Sequence, residues 1–498
     1  MIKMTNSNTP LSAVLSENLE TLRNAFDVSS DLVIREIVVA GFSAAVVSIE
    51  GMIDRHMMTD AVLLPLSRMP HTYKTADDAM RDIEKTVLGF VDLLKADTLE
   101  QLSELIVSGF AAVLLDGVDR AVLGGLQAFM IRGVSEPSTE VGVRGSREGF
   151  TEAIRINVSM IRRRLKTPNL TFEMLTVGGM SKTAVCLCYM RGRVSNALLK
   201  DVRKRIQNCP LDIVLESGYL QPFLEGKRRS LFTGVDVTER PDTLCGKVAE
   251  GRIGVLVDGT PFALVVPYLF AEHFQSMDDY TQHPVYASFI RLIKYVSFFI
   301  SLLLPGLYVA IGTHHADMLP SELLLTFINS ARSTPFPLVA EALLIHFLFE
   351  IMREAGLRFP KSVGHAVSIV GALVIGESVV RAGLVGAPMV IVVALTSISA
   401  FVIPSLYGSI AVLRFLFIVL GGALGLYGVL LGALLLLCSL VSLDVDTIPV
   451  TAPITPFSLK AMRDVFIRSG WRRLSKNSFR VQNVVGSEIK DGEEEAPQ

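Results

Sequence analysis

Apolar and polar positions mix in one way along the first half of the chain and in another along the second. From residue 1 to about 282 they alternate on the short periods of strands and helices, as in a globular fold. From 285 to 443 long apolar runs are broken mostly by Gly, Pro and Ser, which is the pattern of a polytopic helical membrane region. The fold class this predicts is an α/β N-terminal region followed by an all-α transmembrane domain.

In the first part, residues 31–54 carry two β-branched runs separated by Gly41 and Gly51, read as two strands. Helical periodicity follows over 59–66, 77–94 and 98–108, then a hairpin turning at Asp116-Gly117. The order recurs: a strand at 183–189, a helix at 196–207, a strand at 211–215, a helix at 242–250 and a hairpin turning at Asp258-Gly259. Aligning Gly109 with Gly251 also matches Val113 with Val255, Leu114 with Leu256 and Ala121 with Ala263, so two duplicated α/β subdomains are expected. The expected boundaries are a flexible segment 1–30, subdomains 31–135 and 170–282, a linker helix within 136–169 capped by Ser146, a transmembrane domain 283–445 and a tail 446–498.

The second part is oriented by its charges. Arg291 and Lys294 place the start of the first span on the cytoplasmic side, Arg353, Arg358 and Lys361 mark a second cytoplasmic loop, and Arg463, Arg468, Arg472, Arg473 and Lys476 a third. Both ends of 361–463 then lie inside, so its crossings are even in number. The 35 apolar residues 409–443 exceed the ~20 that one crossing needs, and their glycines permit a break. The total is six if that run is broken, or four if one run is re-entrant.

Ionisable residues inside apolar segments are costly and face protein or water. Glu341, His346 and Glu350 lie in the 338–352 run, with His346, Glu350 and Glu354 on one helix face. In residues 362–384, Ala366, Val370, Leu373, Glu377 and Val380 form one stripe at helical spacing. A narrow apolar stripe with one carboxylate suits a pore wall that selects cations; a structural pair of Glu377 with Arg381 inside the bundle is the competing reading.

A formal net charge of -2 gives no general attraction for nucleic acid. Arg162, Arg163, Arg164 and Lys166 read as the solvated end of a helix rather than a phosphate or lipid contact. The five cysteines lack paired spacing and read as reduced structural thiols. No nucleotide-binding loop, GxSxG or HExxH sequence is present, Asp116 and Asp258 are residues a turn favours anyway, and His314, His315, Asp317 and Glu322 read as a polar loop. No enzyme activity, metal or cofactor is expected.

Residues 143–152 (VRGSREGFTE), 238–242 (TERPD), 250–267, 288–310, 334–360 and 367–385 (VSIVGALVIGESVVRAGLV) resemble the A subunit of GerA-type spore germination receptors over about 31–473. Ser146 stands where the family usually has Pro, and Glu377 where it usually has Gln. The resemblance implies a nutrient-sensing complex of the spore inner membrane, with a homo-oligomer of this chain, a permease-like B subunit, a lipoprotein C subunit and membrane lipids as partners. It also implies a ligand-gated ion channel whose N-terminal region and tail are cytoplasmic. A secondary transporter, and a scaffold or accessory subunit that the spans only anchor, are the alternatives.

Overall fold

The computed structural model describes residues 9–90, 92–128, 136–137, 140, 142, 144–225, 230–358, 376–445, 448–459, 461–475, 480–483 and 487. The first unit comprises α1 (Leu15–Phe26), β1 (Leu32–Val39), β2 (Phe42–Ile49), β3 (Leu93–Ala96), α2 (Leu99–Val107), β4 (Phe110–Leu115) and β5 (Ala121–Gly125). Its strands form one antiparallel sheet in the order β1-β2-β4-β5-β3. Strands such as FSAAVVSI are apolar at nearly every position because both faces are covered. Val47, Ile49 and Leu114 meet Leu22, Phe26 and Ile106 of α1 and α2, while Val46 and Val113 meet helical residues Val62, Leu66 and Ile83.

The second unit repeats the plan with α3 (Ile154–Arg164), β6 (Leu170–Val177), β7 (Thr183–Met190), α4 (Asn196–Gln207), β8 (Asp236–Thr238), α5 (Pro241–Ala249), β9 (Ile253–Val257) and β10 (Ala263–Val266). Its sheet order, β6-β7-β9-β10-β8, is the first unit's order element for element. The correspondence extends to atoms. Asp116 Oδ1 accepts from Leu15 N at 2.9 Å and Asp258 Oδ1 from Ile154 N at 3.1 Å, so each hairpin aspartate caps the first helix of its own unit across the fold. Gly117 N and Gly259 N donate to Ala13 O and Glu152 O, both at 2.8 Å. Asn18 and Asn157 brace the two helix starts through matching bonds to the backbone of Ser12 and Thr151.

Several expectations are corrected by this arrangement. Residues 15–26 form a packed helix, not part of a flexible segment, because Leu15, Leu19, Leu22 and Phe26 bury one stripe against the sheet. The expected linker helix is instead the opening helix of the second unit. It starts at Ile154 without a cap from Ser146, whose hydroxyl accepts from Arg164 at 3.0 Å. The helix expected to run to 94 gives way to β3, and 211–215 forms no strand.

Arg162 is the largest departure from the sequence reading. It is wholly buried between the units, paired with Asp31 at 2.8 and 3.0 Å and donating to Leu170 O and Ser29 Oγ. Arg163 and Arg164 pair with Glu148. All five cysteines are free, and burial pushes the Cys245 thiol up to about 12.

The helical region contains α6 (Pro284–His314), α7 (Ser321–Ser333), α8 (Leu338–Arg358), α9 (Ala387–Phe401) and α10 (Tyr407–Val441). Among the described residues two helices, 284–314 and 404–441, are long and apolar enough to cross a membrane. The second is not straight. Gly425 has φ 62° and ψ -146°, outside helical space, and a methyl group built on Gly432 would lie 3.1 Å from the Phe417 ring. A straight helix would hold residues 417 and 432 about 22 Å apart. The chain therefore folds back at Gly425 into two antiparallel arms.

Candidate functional site

Three features in the helical region place ionisable or polar groups where apolar sequence surrounds them. The first is a network between the C-terminal half of α8 and the start of α10. Glu350 accepts from the Tyr407 hydroxyl at 2.9 Å and from Arg353 Nε at 2.9 Å, and Arg353 also stacks over the Tyr407 ring at 4.4 Å. Arg414, fully buried, lies 3.7 Å from Glu350 and donates from Nε to Ser301 O of α6 at 3.2 Å. One cluster thus ties three helices together.

The same α8 carries two more ionisable residues singled out by sequence. His346 is buried, its Nδ1 2.9 Å from Ala342 O; a carbonyl only accepts, so this ring nitrogen carries the proton. Glu341 is buried at the far end and accepts from Gly386 N at 2.6 Å, fixing the start of α9 beside the start of α8. The expected common face of His346, Glu350 and Glu354 grades from buried to half-exposed, as Glu354 turns out to pair with Arg358.

The second feature is the pair Glu377–Arg381. The two side chains bond at 2.6 Å, and this chain alone leaves them 56% and 79% exposed. The pairing expected from their spacing forms, but not inside the bundle of one chain. Val380 is half-buried, whereas Ala366, Val370 and Leu373 lie outside the described residues.

The third feature is the junction between the second α/β unit and the helices. A helical turn after β10, Phe270–Phe274, inserts between them: Phe274 stacks on Tyr295 of α6 at 3.9 Å and Phe270 meets Phe298 at 5.8 Å. His273 Nδ1 lies 2.9 Å from Ser405 Oγ, and burial pushes this imidazole down to about 4, so it is neutral near pH 7. Arg291 of α6 joins Asp279 at 2.7 Å to Asp464 of the tail at 2.8 Å. Hydrophobic packing runs unbroken from Val255 and Val266 of the sheet through Phe298, Leu302 and Phe417.

Sequence reasoning missed Arg414, Tyr407 and Asp464. Arg414 had a legible signal, a single cation within a 35-residue apolar run; the other two are defined only by contacts distant in sequence. Among the described residues no cluster of His, Cys, Asp or Glu has metal-binding geometry. The arrangement suits mechanical coupling and charge in the membrane.

Comparison with known proteins fits these features. The sequence model of a family described as Bacillus/Clostridium GerA spore germination protein matches residues 20–479. The chain is 37% identical over 494 residues to spore germination protein KA of Bacillus subtilis, covering 98% of this chain and 90% of that one. It is 36% identical over 474 residues to the uncharacterized membrane protein YfkQ of the same organism, covering 95% and 92%. Among solved structures, the N-terminal domain of the A subunit of the Bacillus megaterium spore germinant receptor GerK3 is 32% identical, with a TM-score of 0.42, covering 53% of this chain and 98% of that one.

Proposed function

The chain belongs to the GerA family of spore germination proteins, and from that membership we propose that it is the A subunit of a nutrient germinant receptor that oligomerises into a ligand-gated ion channel. The observation that carries the channel reading is the exposed Glu377–Arg381 pair. A charge in mid-membrane costs about 2.5–3.5 kcal/mol on insertion scales, so a pair that one chain leaves uncovered belongs against water or another copy. Copies arranged around an axis provide both.

The topology that goes with this reading has six crossings. Both ends of the folded α10 return to the second α/β unit: Ser409 Oγ donates to Leu231 O, and Val445 packs on Gly234. A straight 35-residue helix would separate its ends by about 52 Å. Gly386 meets Glu341 at the start of α8, so by Gly386 the chain has returned to the end of that helix opposite Arg358. With α6, α8, α9 and the two arms of α10, six passes result, and the α/β units and tail share the cytoplasmic side of the spore inner membrane.

In this scheme the α/β units do no chemistry. A permease-like B subunit supplies germinant recognition, a lipoprotein C subunit completes the complex, and the Phe270–Phe274 turn carries movement of the second unit to α6 and α10. A cysteine at Glu377, in a chain with exposed Cys438 changed to serine, tests the assembly in proteoliposomes. Cross-linking between copies supports it; a monomeric mass with no cross-link overturns it.

A further inference from the structure

The tail residues 461–473 pack beside the start of α6 and present a surface that no described part of the chain covers. Arg468 N donates to Ser288 Oγ at 3.0 Å, Phe466 packs against Tyr295 at 4.6 Å, and Trp471 lies 6.0 Å from Tyr280. On the outward side Phe466, Ile467 and Trp471 are all exposed, with Trp471 at 60%. Buried Arg468 stacks under the indole at 5.0 Å and holds it in place.

The segment meets α6 at Ser288, and around that contact Val285, Tyr286, Phe289 and Leu292 of α6 are exposed as well. The apolar stretch of α6 begins after Lys294, so Ser288 lies about 10 Å below its first residue, at the depth of the headgroups. Exposed Arg463, Arg472 and Arg473 border the same surface, and among the described residues they have no acidic partner. Aromatic residues at headgroup depth flanked by cations are what an interfacial lipid contact requires.

We infer that residues 461–473 form a membrane-surface anchor in which Trp471 and its apolar neighbours enter the cytoplasmic leaflet while Arg472 and Arg473 bind anionic phospholipid headgroups. The anchor fixes the tail, and through Asp464 and Arg291 the inner end of α6, to the bilayer surface. Its strength depends on the charge of that leaflet. The inference rests on the membrane reading of α6 but not on ion conduction.

Trp471 is the single tryptophan of the chain, so intrinsic fluorescence reports on it alone. The full-length protein would be placed in nanodiscs of phosphatidylcholine, with or without phosphatidylglycerol, doped with lipids brominated at shallow or deep acyl positions. Shallow bromines should quench the emission more than deep ones, and quenching should be greater with phosphatidylglycerol. A double Arg472→Gln/Arg473→Gln variant, melting like the native chain, should lose the phosphatidylglycerol-dependent increase. Quenching by aqueous iodide but not by bromolipid would overturn the inference, as would protection from both, which would mean that protein covers the indole. An unchanged response in the double variant would overturn the headgroup assignment.

Discussion

Two residues, Arg162 and Asp236, carry testable weight in the soluble region. Arg162 bonds both Asp31 of the first unit and Leu170 O of the second. Breaking a buried ion pair by removing one partner leaves the other uncompensated and costs about 3–5 kcal/mol. Arg162→Met should therefore lower the melting temperature of the detergent-solubilised protein, and adding Asp31→Leu should restore much of the loss. An unchanged melting temperature in the single variant would contradict the interlock.

Asp236 is half-buried in β8, and desolvation raises its carboxyl to about 7, with Lys247 opposing and Glu140 and Glu272 adding. Burial also works against the charge of Glu272, but Arg252 and Lys247 outweigh it and hold that group below its usual value. Because the folded-state value of Asp236 lies above the unfolded one, its contribution to stability is full below the ordinary carboxylate range and is lost as pH rises through about 7. The melting temperature should fall between pH 6 and pH 8, and Asp236→Asn should flatten that slope. A native melting temperature that rises over this range, with the variant indistinguishable, would contradict the assignment.

At the level of elements, the two hairpin aspartates and the α10 reversal are the features to test. Asp116→Ala and Asp258→Ala each remove a cap worth about 1 kcal/mol, and because the units are built alike the two losses should be similar by chemical denaturation. Gly425 has a backbone that only glycine adopts freely, and a methyl group there would lie 2.7 Å from His315 and 2.9 Å from His314. Gly425→Ala should cost on the order of 1–3 kcal/mol and lower the yield of folded protein, whereas the same change at Gly408, with no neighbour within 4 Å, should be nearly silent.

These elements also show what the sequence made legible. The hairpins, α4, α5 and the long apolar runs were readable because each is encoded by local periodicity and turn residues. Short strands such as β3 and β8 were not, since three or four residues carry no period and are fixed by neighbours in the sheet. Ser146 looked like a cap because the signal is local, whereas the group that caps α3 is Asp258, 104 residues away. Glu341, His346 and Glu350 were found because charge in an apolar run is visible, but their partners Gly386, Ala342 and Tyr407 required the fold.

Across the whole molecule, the second α/β unit and the helices share one packed core at the Phe270–Phe274 turn, and Arg162 with Asp31 joins the first unit to the second, which gives one connected body. Such a body can pass a shift in the α/β units, or in a bound partner, to the helices that carry Glu350, Arg414 and Glu377. Gating by this route requires that the helices enclose an ion path when copies assemble. Single-channel recording of the purified complex in planar bilayers, comparing the native chain with Glu377→Gln and Val370→Ala, tests that requirement most directly. A germinant-dependent cation current, less cation-selective in Glu377→Gln and more often open in Val370→Ala, is the predicted result; a correctly assembled complex that stays silent with germinant present, in the native chain and both variants, would contradict it.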